Sequence, residues 1–202
     1  FTGIQDAITA ASAGDTIIVS DGNYTENVRV YKRLTIQSES GPDATIVQAA
    51  AYVEICGFTA KGADTGIYLC DADYCNISNN NCSNNGGGIS LQDSNSNSIS
   101  NNTCTSNNGD GIYLGGSNKN IISNNNCTNN GEGGFSFYES NNNSILNNNC
   151  DRISLFCLNY NLIYLNNFLK KTDNVFFMNQ PTHGTPQKKI LTPTTKGHTR
   201  TT

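Results

Sequence analysis

At 202 residues, the chain is long enough for one domain with a continuous core. Only 36% of its residues are hydrophobic and 14% charged, so that core is narrow and solubility rests on neutral amides and hydroxyls. A net charge of −4 argues against a nucleic-acid partner, which needs clustered Lys and Arg, and no apolar run approaches the ~18 residues of a membrane span.

Residues 1–16 read as an N-terminal cap, and a start at Phe1 is expected of a processed export signal or a fragment. Ile4, Ala7, Ile8 and Ala11 fall on one helical face, and Ala13-Gly14-Asp15 ends the helix. Such a helix can cover the open end of a solenoid, whose strand edges would otherwise be exposed. Strands are expected at Thr16–Val19, Asn27–Val30, Leu34–Ile36, Thr45–Val47 and Tyr52–Ile55.

From residue 66 to 168 the chain repeats itself. Cys82, Cys104, Cys127 and Cys150 each end an Asn-Asn-x-Cys motif, at intervals of 22, 23 and 23 residues. Upstream of each lies an apolar alternation (Ile67/Leu69, Ile89/Leu91, Ile112/Leu114, Phe135/Phe137) that follows Gly66, Gly88, Gly111 or Gly134. A fixed period of this length with two short strands and Asn/Gly turns predicts the coil of a parallel β-helix. In-register stacking at about 4.8 Å would align Ile77, Ile99, Ile122 and Ile145 inward. It would also align Asn80, Asn102, Asn125, Asn148 and Asn166 as a hydrogen-bonded amide column. The glycines are expected to supply positive φ at tight corners. Between Ile145 and Ile163 the interval is 18, so the corner after Cys150 has lost about one loop.

Phe168 occupies the cysteine position of the next coil, which marks the column as an apolar interior slot. A reduced, buried cysteine ladder is the reading; disulfides (Cys70 and Cys75 are a local pair) and a soft-metal site are the alternatives. Residues 179–202 lack a strand period and read as poorly ordered.

Ile4-Gln-Asp-Ala-Ile8, Ala13-Gly-Asp-Thr-Ile-Ile-Val19, Gly22-Asn-Tyr-Thr-Glu-Asn27 and Lys32-Arg-Leu-Thr-Ile36 look like the capped start of pectin-lyase-like proteins. The Ile-Ser-Asn-Asn-x-Cys repeats resemble the NosD-like branch of right-handed parallel β-helix proteins. That branch includes a periplasmic copper-associated protein and many surface proteins of methanogenic archaea. The resemblance covers roughly residues 2–178. It implies an all-β fold, a right-handed parallel β-helix over residues 1–178, and an extracellular, cell-surface or periplasmic location. Two departures stand out. Relatives carry a longer stretch between the equivalents of Val47 and Tyr52. Their usual end, Thr-Trp-Asn and its neighbours, read one base out of frame gives the His183-Gly184 seen here, so a frameshifted tail lacking the C-terminal cap is expected.

Aligned on glycine, Asp71, Asp93, Gly116 and Glu139 form one column past the inward strand. Stacked carboxylates can protonate a leaving oxygen, activate water or bind a cation, and like charges on adjacent rungs raise one pKa. Asp73, in the same turn as Asp71, would complete a calcium-type oxygen site; the bland reading is a solvated acidic turn. A lyase also needs bases and cations, and the regular coil offers only Lys119 and Arg152. Arg29, Lys32 and Arg33 are confined to the N-terminal turns.

Copper would want His, Met or accessible Cys, but His183 and His198 lie in the tail and Met178 is alone. Asn108-Gly-Asp-Gly111 reads as a corner. Tyr68 and Tyr113 take equivalent outward positions with Ser90 between, and Tyr138 is expected one position further along the next repeat. Such a face suits sugar rings. Sequons at Asn23, Asn76, Asn81, Asn101, Asn126 and Asn142 permit glycosylation on export, though some are expected to point inward.

Three functions follow. The first is a non-catalytic exported protein that binds a polysaccharide or envelope glycan, or builds the envelope, with Tyr68, Tyr113, Asp71, Asp73, Asp93 and Glu139 as ligand-binding residues and no cofactor or metal. The alternative is a polysaccharide hydrolase or lyase using Asp71 and Asp93. Copper association is the third.

Overall fold

The computed structural model describes residues 1–20, 23–30, 34–38, 43–49, 52–158, 160–169, 175–178 and 190–191. It is the expected parallel β-helix, a solenoid of about six turns. Strands Asn23–Val30, Asp43–Ala49, Thr65–Cys70, Gly87–Gln92, Asp110–Gly115, Gly133–Tyr138, Ile153–Phe156 and Val175–Met178 stack in parallel into one long sheet. A second sheet runs from Thr16–Val19 through Glu54–Cys56, Asn76–Ser78, Ser98–Ser100, Ile121–Ser123 and Ser144–Leu146 to Ile190–Leu191. A third, short ladder joins Asn126–Cys127, Asn149–Cys150 and Asn167–Phe168. The helix Ile4–Ala10 packs on the first coils with Ile4 and Ile8 buried.

The register is that of the repeat. Ile67, Ile89, Ile112, Phe135 and Ile153 stack in one inward column of the long sheet. Ile55, Ile77, Ile99, Ile122, Ile145 and Ile163 stack in the second sheet. All are buried, and together they make one continuous core.

The corners depend on buried amides. In the central column, the Asn80 N–H donates to Asn102 Oδ1 at 2.9 Å, and the Asn102 N–H to Asn125 Oδ1 at 2.9 Å. Asn102 Nδ2 donates back to the Ile77 carbonyl at 2.9 Å and on to Asn125 Oδ1 at 3.0 Å. One side chain thus engages two main-chain groups of the preceding coil. Two further inward columns accept N–H groups alike, Asn85/Asn107/Asn130 and Asn97/Asn120/Asn143/Asn161, although Asn97 Nδ2 has no partner among the described residues. Ser94, Ser117 and Ser140 do the same work with hydroxyls.

Each ladder residue follows one in the left-handed region: Asn79, Asn101, Asn124 and Asn147 precede the central column with φ between 54° and 57°. Asparagine is the non-glycine residue most at ease there. Positive φ was expected of Gly66, Gly88, Gly111 and Gly134, and the structure corrects this: none of them has it. Their role is close approach. A Cβ on Gly88 would lie 2.3 Å from the Gly111 carbonyl oxygen and 2.8 Å from Cys104 Cβ. The cysteine and glycine columns press together at the narrow end of the coil, where only a hydrogen fits.

All eight cysteines are free, and Cys82, Cys104, Cys127 and Cys150 are fully buried. Phe168 pairs with Cys150 as the sequence indicates. After Cys150 the chain passes through Asp151 and Arg152 straight into Ile153, which is the lost loop. Buried Asp151 takes up the Asn129 N–H at 2.6 Å and closes that short corner. The shortened passage before Tyr52 falls partly on residues 50 and 51, outside the described residues, as does most of the tail. Of the tail, Ile190–Leu191 is described, paired with Ile163 and Tyr164.

The ladder predicts its own sensitivity. Asn102→Ala orphans the buried Asn80 N–H and removes the side-chain bond to the Ile77 carbonyl, at about 1–3 kcal/mol for a buried group left unpaired. A total loss of about 3 kcal/mol is expected by urea denaturation. Asn101→Gly, at the neighbouring exposed left-handed corner, should change stability by less than about 0.5 kcal/mol.

Candidate functional site

The outward face of the long sheet carries most of the chemistry-bearing side chains of the regular coil. Along the strand Asp110–Gly115, Asp110 and Tyr113 point outward and Gly115 ends the row. Tyr68, Ser90, Tyr113, Ser136 and Ser154 occupy one column, so the predicted equivalence of Tyr68 and Tyr113 holds. Tyr138 is displaced from its expected place: it lies two residues beyond Ser136, opposite Gly115, in the next outward column. Half-buried Tyr68 and Tyr113 both have their hydroxyls pushed up, chiefly by burial.

The carboxylate column lies at the following corner. Asp71, Asp93, Gly116, Glu139 and Cys157 all take positive φ, and each of the first four N–H groups donates to a carbonyl of the next coil. Asp71 and Asp93 therefore stand on adjacent rungs, both exposed, about 4.8 Å apart along the axis. Glycine at 115 and 116 opens a notch in this rim. Asp93 Oδ1 leans to within 2.3 Å of where a Gly116 Cβ would be, while Gln92 Oε1 and the Tyr113 hydroxyl fill the space over Gly115. Glu139 takes the same corner position on the next coil, and its carboxylate pushes up the neighbouring exposed Tyr138 hydroxyl. Asp73 commits Oδ1 to the Asn95 N–H at 2.5 Å, the first link of an outer amide ladder through Asn118 and Asn141. Among the described residues, no three His, Cys, Asp or Glu side chains converge on one point.

Sequence reasoning passed over Asp110, read as part of a corner. The structure places it at the start of an outward strand row, half-buried, with its pKa pushed up to about 6. Burial is the main cause and the Glu132 charge adds to it, against the opposing pull of Arg152 and the Ser136 hydroxyl. Arg152, two coils on, lies over Gly133 beside Asp110 and donates to the Glu132 carbonyl. The signal was available: Asp110 is the one acid in a column of Thr65, Gly87 and Gly133.

The sequons fall differently from expectation. None of the described ones sits in an inward ladder: Asn81, Asn101 and Asn142 are exposed, and Asn76 and Asn126 half-buried; Asn23 lies in a strand.

The family model for the periplasmic copper-binding protein NosD matches residues 8–191. A cell surface glycoprotein of Methanothermus fervidus is 42% identical over 90 residues, which are 40% of this chain and 15% of that protein. The chain therefore spans well under a fifth of that relative's length. Among solved structures, an alginate lyase from Paenibacillus aligns over 87% of this chain and 95% of its own, with a TM-score of 0.59 and 17% identity. The A-module of the mannuronan C-5 epimerase AlgE4 of Azotobacter vinelandii covers 86% of this chain and 85% of its own, at a TM-score of 0.39 and 12% identity. At these identities the first likeness speaks for the fold alone.

The copper in that family description finds no fitting donor set among the described residues. The thiols of Cys82, Cys104, Cys127 and Cys150 are fully buried. A hydrogen bond to Cys104, with burial, lifts Cys82 well above the ordinary thiol value, and burial lifts Cys150 to about 12. Copper binds the thiolate, which these positions disfavour at neutral pH. The two histidines lie outside the described residues.

Asp110 yields a test with a definite sign. Its carboxyl holds a proton in the fold up to about pH 6, against a reference of 3.8, so the fold binds more protons than the unfolded chain between those values. Stability is lost as pH rises through that window. Asp110→Asn should melt higher than the unsubstituted protein at pH 7, and the difference should vanish below about pH 4.

Proposed function

This chain belongs to the family of the periplasmic copper-binding protein NosD, and from that premise we propose that it is an exported, non-catalytic β-helix protein that binds carbohydrate or builds the cell envelope. Its place is extracellular, at the cell surface or in the periplasm. The likeness to an archaeal cell surface glycoprotein supports that location, and the family description supports export. No helix among the described residues is long and apolar enough to cross a membrane.

One observation carries the reading: the outward faces of the regular coil carry columns of amides, hydroxyls and tyrosines, and their charges are mostly carboxylates. Such a surface offers paired donors and acceptors to sugar hydroxyls and aromatic faces to their C–H faces. Tyr68, Tyr113, Asp71, Asp73, Asp93 and Glu139 are the proposed contacts. Against catalysis stands the exposure of the Asp71/Asp93 column, together with the engagement of Arg152 beside Asp110 rather than at that column. Calcium at Asp71 and Asp73 would serve such a role by rigidifying the turn.

A second reading, cleavage of a polysaccharide, is favoured by Asp110. A carboxyl titrating near neutral pH beside a tyrosine is suited to proton transfer, and the notch bordered by Asp93 and Glu139 lies at the far end of the same strand row.

Incubation with neutral and acidic polysaccharides separates the two. The expected outcome is retention of the protein on at least one insoluble glycan, with no new chain ends. Release of ends that is lost in Asp110→Asn or Asp93→Ala would make the protein an enzyme.

A further inference from the structure

Around the bend from the carboxylate column, Tyr52 and Tyr74 stand one coil apart and stack face to face. Their ring centroids are 5.0 Å apart with an interplanar angle of 14°. Each is more than half exposed, at 55% and 56%. Both hold the left-handed region, at φ 63° and 59°. Higher coils fill this corner with Ser96, Lys119, Asn142 and Tyr160 at the same φ, so the bend itself accepts non-aromatic residues as well as tyrosine. A bulky ring is disfavoured in that region, and two successive coils accept it here.

Beside the pair opens a cavity of about 330 Å³ lined by Gly14, Leu34, Thr35, Val53, Glu54 and Asn76 together with the two rings. That volume is at the lower end of the range for small-ligand sites. Its polar wall is in register: Thr35, Glu54 and Asn76 are stacked partners in the second sheet. Asn76 Nδ2 donates to Glu54 Oε1 at 3.2 Å, which orients both side chains. The second Glu54 oxygen and Asn76 Oδ1 have no hydrogen-bond partner among the described residues. The lining thus places acceptors on one side and an exposed aromatic stack on the other, with no cation among the described lining residues.

We propose that this pocket is a binding subsite for a neutral hexose unit of a glycan chain. The C–H face of the sugar lies on the tyrosine stack, and its hydroxyls donate to Glu54 and Asn76. The Glu54 carboxylate in the lining repels a like-charged uronate. The inference rests on the glycan-binding reading and adds to it the place and the class of sugar. It also concerns residues that the long-sheet face does not use.

The chain has no tryptophan, so tyrosine fluorescence reads the pocket without that background. The probes are gluco-, manno- and galacto-oligosaccharides on one side and oligogalacturonate and oligoalginate on the other. At least one neutral series should bind saturably, and Tyr74→Asn and Glu54→Gln should each weaken it about tenfold or more. Tyr74→Asn should melt at or above the unsubstituted protein, because asparagine is at ease at this φ, as Asn142 is. Undiminished neutral binding in both variants, or binding of acidic oligosaccharides alone, would overturn the pocket and leave the glycan-binding reading standing. If Tyr74→Asn loses both binding and several degrees of melting temperature, Glu54→Gln decides: retained binding there overturns the proposal. If no oligosaccharide binds the folded protein, the pocket and the broader reading fall together.

Discussion

A chain wound into coils this tight must bury main-chain polar groups at every bend, where no strand partner is in line to receive them. The inward amide columns meet that constraint. An asparagine at each bend accepts the N–H of the coil before it and donates to a carbonyl of that same coil, as Asn102 does for Asn80 and Ile77. An unpaired buried N–H or carbonyl would cost about as much as several surface contacts supply. The side chain must be short, neutral and both donor and acceptor. Aspartate would bury a charge and glutamine would overreach, which explains why one residue type dominates the repeat.

The rest of the architecture follows. With the bends satisfied internally, the apolar core needs only one or two aliphatic layers per coil, and the low hydrophobic content suffices. Cys82, Cys104, Cys127 and Cys150 serve as small apolar fillers against the glycine column, fully buried. The corners before each ladder residue sit in the left-handed region and point outward, leaving their side chains free to vary. Function can therefore be written on the outside without disturbing the winding: an aspartate column, a glycine notch, a half-buried acid and a stacked tyrosine pair all occupy outward or corner positions.

The period, the isoleucine and cysteine columns, the shortened coil and the Asp71/Asp93 stack were legible because each is a fixed interval in the sequence, and register turns interval into contact. Less legible was anything set by the space between columns. The glycines looked like turn residues, yet they are needed because Cys104 and its equivalents leave no room for a Cβ. Asp110 looked like part of a bend, and its perturbation comes from burial and from Glu132 on the next coil, with Arg152 two coils on opposing it. Tyr52 and Tyr74 are separated by 22 residues, the period itself, as are Glu54 and Asn76. That coincidence was readable, but it lies at the irregular start of the repeat, where the Asn-Asn-x-Cys motif has not begun.

Amide hydrogen exchange tests the central claim most directly. If the ladders carry the bends, the N–H groups of Phe58, Asn80, Asn102, Asn125 and Asn148, each donated to an asparagine Oδ1, will exchange as slowly as the strand amides of the second sheet, through global unfolding alone. Exchange of these five by local opening, orders of magnitude faster than the strands, would contradict it: the bends would then be held by the strands around them, and the asparagines would be passengers.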